Sequence, residues 1–165
     1  MIAVTIRPIT LDDVAGFNHA LDRVAREKRF LARTEGGTLE QSRAFVADNL
    51  ERGNPHFVAL DGATVVGWCD VIRNDHLPIY AHSGTLGMGL VPEARGQGAG
   101  RRLIETTIAA AFAAGMTRIA LTVRADNEAA IHLYERIGFA LEGYHRRTDC
   151  IDGVYHDTRS MALLA

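Results

Sequence analysis

The stretch Arg95-Gly96-Gln97-Gly98-Ala99-Gly100-Arg101 constrains this chain more than any other. It follows a strand-like run ending at Leu90-Val91-Pro92 and opens an apolar helical run over 103–114. A strand that feeds a glycine-rich turn and then a helix start is an anion site. The free N–H groups of the first helical turn converge, and the helix dipole adds partial positive charge there. Glycines let a ligand's phosphates approach the backbone with no Cβ in the way. Arg95 and Arg101 would add charge-assisted donors. The pattern points to a pyrophosphate or a similar group held at this turn.

Spacing separates the kinds of phosphate loop. A P-loop needs Lys-Ser/Thr after its last glycine, whereas Arg101-Arg102 follows Gly100 here. The dinucleotide fingerprint Gly-x-Gly-x-x-Gly fails at its last position, which is Arg101. What remains is Arg-x-x-Gly-x-Gly. This resembles the acyl-CoA pyrophosphate loop of the GNAT superfamily of N-acetyltransferases. Two further segments strengthen the resemblance: Leu90-Val91-Pro92-Glu93 just before the loop, and Asn127-Glu128-Ala129-Ala130-Ile131-His132-Leu133-Tyr134-Glu135-Arg136-Ile137-Gly138-Phe139 after it. The close match covers about 85–144, and the N-terminal half matches in the order of its elements.

That order is readable along the chain. Residues 3–7 alternate as a strand closed by Pro8. Thr10 with Asp13 forms a capping-box pattern that opens a helix over 11–28, with Val14, Phe17, Leu21, Val24 and Ala25 on one face. Thr38 with Gln41 opens a second helix over 39–50. Residues 57–60 and 65–71 flank Asp61-Gly62 as a hairpin. A strand over 82–91 contains Gly84, Gly87 and Gly89. A strand over 118–123 and a helix over 127–137 follow, the helix stopped by Gly138. Residues 140–145 and 154–163 make a closing hairpin with a long loop that includes Asp152-Gly153. The resemblance implies an α/β protein of the GNAT fold: one domain over 1–165, with a mixed, mostly antiparallel seven-stranded sheet and about four helices on its two faces.

Composition narrows the function class. The 165 residues suit one domain with a full core. A net charge of −2 offers no electrostatic case for nucleic acid. No apolar run reaches a membrane-spanning length, and the N-terminus lacks the apolar core of a signal peptide. Cys69 and Cys150 form no metal pattern and read as reduced packing residues, so a cytoplasmic protein without a metal is expected.

The resemblance also implies a site. Two neighbouring parallel strands, 82–91 and 118–123, should splay around acetyl-CoA, with a bulge in the first strand that Gly87 and Gly89 would suit. Alternatively, these glycines relieve crowding. The Leu90 and Val91 backbone should meet pantetheine and the thioester carbonyl. The N–H groups of Gln97, Gly98, Ala99, Gly100 and Arg101, with Arg95 and Gly96, should hold the pyrophosphate. Asn127 should bond the CoA arm, or serve as a plain helix cap.

Tyr134 lies seven residues after Asn127 and on the same helical face. The resemblance makes it the acid that protonates the leaving thiolate. A phenol near pKa 10 can serve a thiol near 8.5, and the competing reading is a packing aromatic. The acceptor amine needs a base. His82 is the first candidate, because it starts the central strand and titrates near neutrality, and Asp70 and Glu35 are alternatives.

Acceptor choice should lie with 29–38 and 144–156, where Arg146 and Arg147 form either a carboxylate clamp or a solvated basic patch. The expected activity is acetyl transfer from acetyl-CoA to a primary amine of a small molecule, amino acid or protein N-terminus, by direct attack in a ternary complex. The alternative is an acyl-CoA sensor of the same fold without turnover. Homodimerisation is common in such folds.

Overall fold

The computed structural model describes residues 3–165. Seven strands form one sheet in the order β1-β2-β3-β4-β5-β7-β6. In chain order these are β1 (Val4–Pro8), α1 (Val14–Arg26), α2 (Leu39–Glu51), β2 (His56–Asp61), β3 (Thr64–Arg73), β4 (Ser83–Leu90), α3 (Ala99–Ala113), β5 (Arg118–Arg124), α4 (Glu128–Ile137), β6 (Ala140–Ile151) and β7 (Val154–Leu164). Every pair is antiparallel except β4 with β5. The element order is the one the sequence predicts.

Local chemistry explains the boundaries. Both capping boxes form: Thr10 with Asp13 opens a short 3-10 turn before α1, and Thr38 with Gln41 opens α2. Gly62-Ala63 turns β2 into β3, one residue on from the expected Asp61-Gly62, with Asp61 paired to Thr64 and Gly62 at φ +58°. Gly138, at φ +114°, ends α4. The closing hairpin departs from expectation. Residues 146–151 continue β6, and only Asp152-Gly153 turns into β7. The extra length is absorbed by a register shift between His145 and Asp149, where Arg147 adopts φ +53°.

Successive residues of β3 show how the sheet is sandwiched. Trp68 points to α1, its ring edge-on to Phe17 at 5.7 Å. Cys69 points to the opposite face, toward Thr107 of α3. β3 is buried over most of its length, as a central strand covered by helices on both faces should be.

The parallel pair positions the site. β4 and β5 are in register only at Ser83 with Arg118, Gly84 with Ile119, and Thr85 with Ala120. β4 stays paired to β3 as far as Leu90, and β5 to β7 as far as Arg124. Each half of the sheet follows its own antiparallel partner, so the two strands part beyond Thr85. The expected bulge is absent, because the β3–β4 register runs unbroken from Gly67–Leu90 to Arg73–Gly84. A Cβ at Gly89 would collide with the Trp68 indole, so that glycine relieves crowding.

Candidate active site

The parting of β4 from β5 opens a cleft of about 590 Å³. β4 lines it with Leu86, Gly87, Met88 and Leu90; β5 with Leu121, Thr122 and Val123; α4 with Asn127, Leu133 and Tyr134. Strand alternation decides which backbone groups face the gap. Val91 N–H donates to Val66 O at 2.9 Å, and Ser83 O accepts from Asn74 N at 2.9 Å. The odd-numbered groups of β4 therefore serve β3, and the even-numbered ones face β5. Beyond Thr85 no β5 residue is in register with them, which leaves the Met88 and Leu90 N–H groups turned toward the cleft. This differs from the expectation for Val91, whose N–H is already used by β3.

At the mouth, the loop before α3 takes the shape its glycines permit. Gly96 and Gly98 sit at φ +72° and +81°, a region that disfavours side chains, and a Cβ at either would point into open space. Gly98 caps α3 without a side-chain hydrogen bond. The first helical bond is Arg102 N–H to Gly98 O, so the Ala99, Gly100 and Arg101 N–H groups precede the helical ladder. Gly100 has a different reason: a Cβ there would lie 3.0 Å from Leu90 Cδ1, so α3 starts hard against β4. A pyrophosphate fits this cradle of oriented donors.

The charged residues around the loop are partly committed. Arg101 donates to Glu105 at 2.8 Å on the exposed side of α3 and also lines the cleft. Gln97 Nε2 donates to Glu93 O at 2.7 Å, bracing the turn. Arg95 lines the cleft with its guanidinium already paired. It is held by both carboxylate oxygens of Glu27, at 2.9 and 2.6 Å, with Nε donating to Leu90 O at 2.9 Å and the Phe30 ring stacked at 5.1 Å. Its charge ties the end of α1 to the loop and occupies the Leu90 carbonyl. Arg136, which the sequence reading passed over, lines the cleft; its signal was its place one turn after Leu133.

Asn127 caps α4, its Oδ1 accepting from Ala130 N–H at 3.2 Å, and its amide also borders the cleft. Tyr134 is buried beside Phe139 and close to Cys69, yet its ring reaches the cleft wall. Burial, with a smaller contribution from the Cys69 thiol, holds the phenol well above its ordinary pKa, so it stays protonated.

The structure does not bring His82 to this cleft. His82 precedes β4 at the end where the parallel pair is closed, and its carbonyl accepts from Thr117 and Arg118. Leu90 lies eight residues further along the strand, roughly 25 Å away at about 3.3 Å per residue. Its position on the strand was legible, but the end at which the strands part was not, and no proton transfer is assigned to it. Glu35 lies in the exposed connection between α1 and α2. Arg146 and Arg147 are exposed on β6, with Arg147 stacked on Tyr155 at 5.2 Å. Among the described residues no cluster of His, Cys, Asp and Glu could hold a metal ion. Nor, among those residues, is any helix long and apolar enough to cross a membrane.

Known proteins share this arrangement. The model of the acetyltransferase (GNAT) family matches residues 20–139. The chain is 36% identical over 110 residues to the N-alpha-acetyltransferase RimI of Mycobacterium tuberculosis, covering 65% of this chain and 67% of that one. It is 31% identical over 121 residues to a spermidine N(1)-acetyltransferase of Vibrio cholerae, covering 72% and 66% respectively. The matches thus span about two thirds of these curated relatives. In fold, it superposes with a TM-score of 0.92 and 21% identity on a GNAT superfamily phosphinothricin acetyltransferase from Sinorhizobium meliloti in complex with acetyl-CoA, covering 99% of this chain and 89% of that one. On its parted strands, its glycine-opened helix and these matches, the chain belongs to the GNAT acetyltransferase family.

Proposed function

We propose that this chain is a single N-acetyltransferase domain that moves an acetyl group from acetyl-CoA to a primary amine of a small molecule, an amino acid or a protein N-terminus, by direct attack in a ternary complex. The observation that carries this reading is the loss of β4–β5 pairing after Thr85 and Ala120, directly beside the unpaired start of α3.

Acetyl-CoA supplies an activated thioester. The residues of the chain supply its placement. The Ala99, Gly100 and Arg101 N–H groups, reached past Gly96 and Gly98, would bind the pyrophosphate, with Arg101 and Arg136 adding positive charge. Gln97 holds the turn through Glu93, and Arg95 holds it through Glu27. The Met88 and Leu90 N–H groups are available to the pantetheine amides and the thioester carbonyl, where hydrogen bonds polarise the carbonyl as charge develops on oxygen. Val91 contributes by fixing the end of β4 against Val66. The Asn127 amide nitrogen can bond the pantetheine arm while its oxygen caps α4. Tyr134, kept neutral by burial, donates its phenolic proton toward the departing sulfur. The same dry surroundings raise the affinity of that sulfur for a proton, which preserves the match.

We place this activity in the bacterial cytoplasm. Support comes from the bacterial relatives and from two free thiols, one of them the exposed Cys150. A second copy is the expected partner at the open edge of β6, where Leu141 and Tyr144 are exposed. The test of function is free-thiol release from acetyl-CoA with a panel of small amines, amino acids and N-terminal peptides. Amine-dependent release supports the reading. Binding of CoA without release for every acceptor contradicts it.

A further inference from the structure

One row of side chains crosses three strands on the face covered by α1 and α2. His56 of β2 is opposite Asp70 of β3, and Asp70 is opposite Gly87 of β4, which lines the cleft. Asp70 is 5% exposed and its carboxylate has no hydrogen-bond partner among the described residues. A buried carboxylate left in this state is costly and calls for a reason. Gly87 supplies one. The place where its Cβ would stand is empty of backbone and lies 3.6 Å from Asp70 Oδ1 and 3.8 Å from Oδ2. A glycine is not needed there for its own conformation, since Gly87 is not among the positive-φ residues. Gly87 lines the cleft and Asp70 does not, so the carboxylate lies behind a residue that has no side chain to cover it.

From this geometry we infer that Asp70 is the general base for the acceptor amine, reached across Gly87. The inference rests on the acetyl-transfer reading above. Consecutive residues of β3 point to opposite faces, so Asp70 serves one side of the cleft while Cys69, beside Tyr134, lies on the other. Base and acid thus flank the thioester from opposite faces of the sheet. As the amine nitrogen bonds to the carbonyl carbon, Asp70 takes a proton from that nitrogen. The C–S bond breaks, its electron pair goes to sulfur, and sulfur takes the Tyr134 proton. Solvent then carries one proton from Asp70 back to Tyr134, so a neutral amine and acetyl-CoA give an amide and free CoA thiol.

The surroundings suit a base that works near neutral pH. Burial raises the Asp70 carboxyl to about 7. The charged or titratable neighbours on the row are few. His56 is itself held neutral by burial, at about 4, with Asn49 Nδ2 3.3 Å from its Nδ1 and its Nε2 without a partner among the described residues. α1 brings Phe17 and α2 brings Phe45 against that imidazole. The Cys69 thiol, on the far face, is kept protonated by burial.

The test compares wild type, Asp70→Asn and Gly87→Ala by thiol release across pH 5.5–9, beside calorimetric acetyl-CoA binding and thermal unfolding. Asp70→Asn should lower kcat/KM for the amine about 100-fold or more and abolish the acidic limb, with acetyl-CoA affinity within about twofold of wild type. It should also unfold at a higher temperature than wild type at pH 8, because it removes a buried charge that a purely structural aspartate would not lose to advantage. Gly87→Ala meets only ordinary contacts, so it should fold, keep its acetyl-CoA affinity and lose turnover by covering the carboxylate. If Asp70→Asn does not fold, Gly87→Ala carries the test. An active wild type whose two variants keep their rates and their acidic limb overturns the base alone. A wild type that binds CoA and acetylates no amine overturns the transfer reading and the base with it.

Discussion

In the proposed mechanism single residues carry the acid–base chemistry, and burial sets each of them. Tyr134 is 7% exposed, and its phenol remains protonated because its anion would have no solvation. Tyr134→Phe should lower kcat about 100-fold while calorimetric acetyl-CoA binding stays near wild type. An unchanged rate at saturating substrates would remove the acid from the mechanism. Asp13 shows the opposite effect. Its carboxylate receives two hydrogen bonds from Arg7, at 2.7 and 2.8 Å, and one from Thr10 N–H at 2.8 Å. These hold it down at about 2, chiefly through the Arg7 hydrogen bond. Its stabilisation is present above the unfolded aspartate value near 3.9 and is lost as pH falls through about 2. Asp13→Ala should cost about 1 kcal/mol at pH 7, as loss of a cap does, and the deficit should shrink in urea melts at pH 2.5. A deficit independent of pH would contradict the role of the ionised carboxylate.

Elements explain what was legible in the sequence. The α3 loop could be read because its meaning is local: three glycines, a strand before and a helix after. The i, i+7 spacing of Asn127 and Tyr134 likewise put both on one face of α4 without knowledge of the rest. The Asp61-Gly62 hairpin and both capping boxes are short-range signals of the same kind. Other features depend on distant partners. The pairing of Arg95 with Glu27 from the end of α1 could not be read from the local pattern. His82 and Leu90 lie on one strand, and only the truncated β4–β5 register shows which end opens. The row His56–Asp70–Gly87 exists because two antiparallel registers align, and a slip of one residue would turn Asp70 to the other face. The loop itself gives a sharp prediction. Gly98→Ala places a side chain at φ +81°, which costs about 1–2 kcal/mol. The folded/unfolded ratio from urea melts should therefore fall roughly 5- to 30-fold, and an unchanged stability would mean that the turn does not hold this left-handed conformation.

At the scale of the whole molecule, two half-sheets keep their own antiparallel pairing and share only three residues of parallel register. That division makes the cleft, puts α3 and α4 on one side and α1 and α2 on the other, and leaves a carboxylate buried where a core would place an apolar residue. The cost should be visible in the stability of the protein as a function of pH. Asp70, with its folded pKa raised, favours the folded state below the unfolded aspartate value, and that contribution is lost as pH rises through about 7. Asp13 acts in the other direction at low pH. The melting temperature should peak near pH 4 and decline from there to about pH 7, with that decline removed in Asp70→Asn. A decline that survives in the variant would assign it to other groups. The central claim, that the parted strands bind acetyl-CoA for transfer to an amine, is tested most directly by free-thiol release with and without acceptor amines on a preparation whose CoA binding is measured in parallel. The account predicts release that depends on the amine and falls in Tyr134→Phe. Tight CoA binding with no amine-dependent release from any acceptor would contradict it.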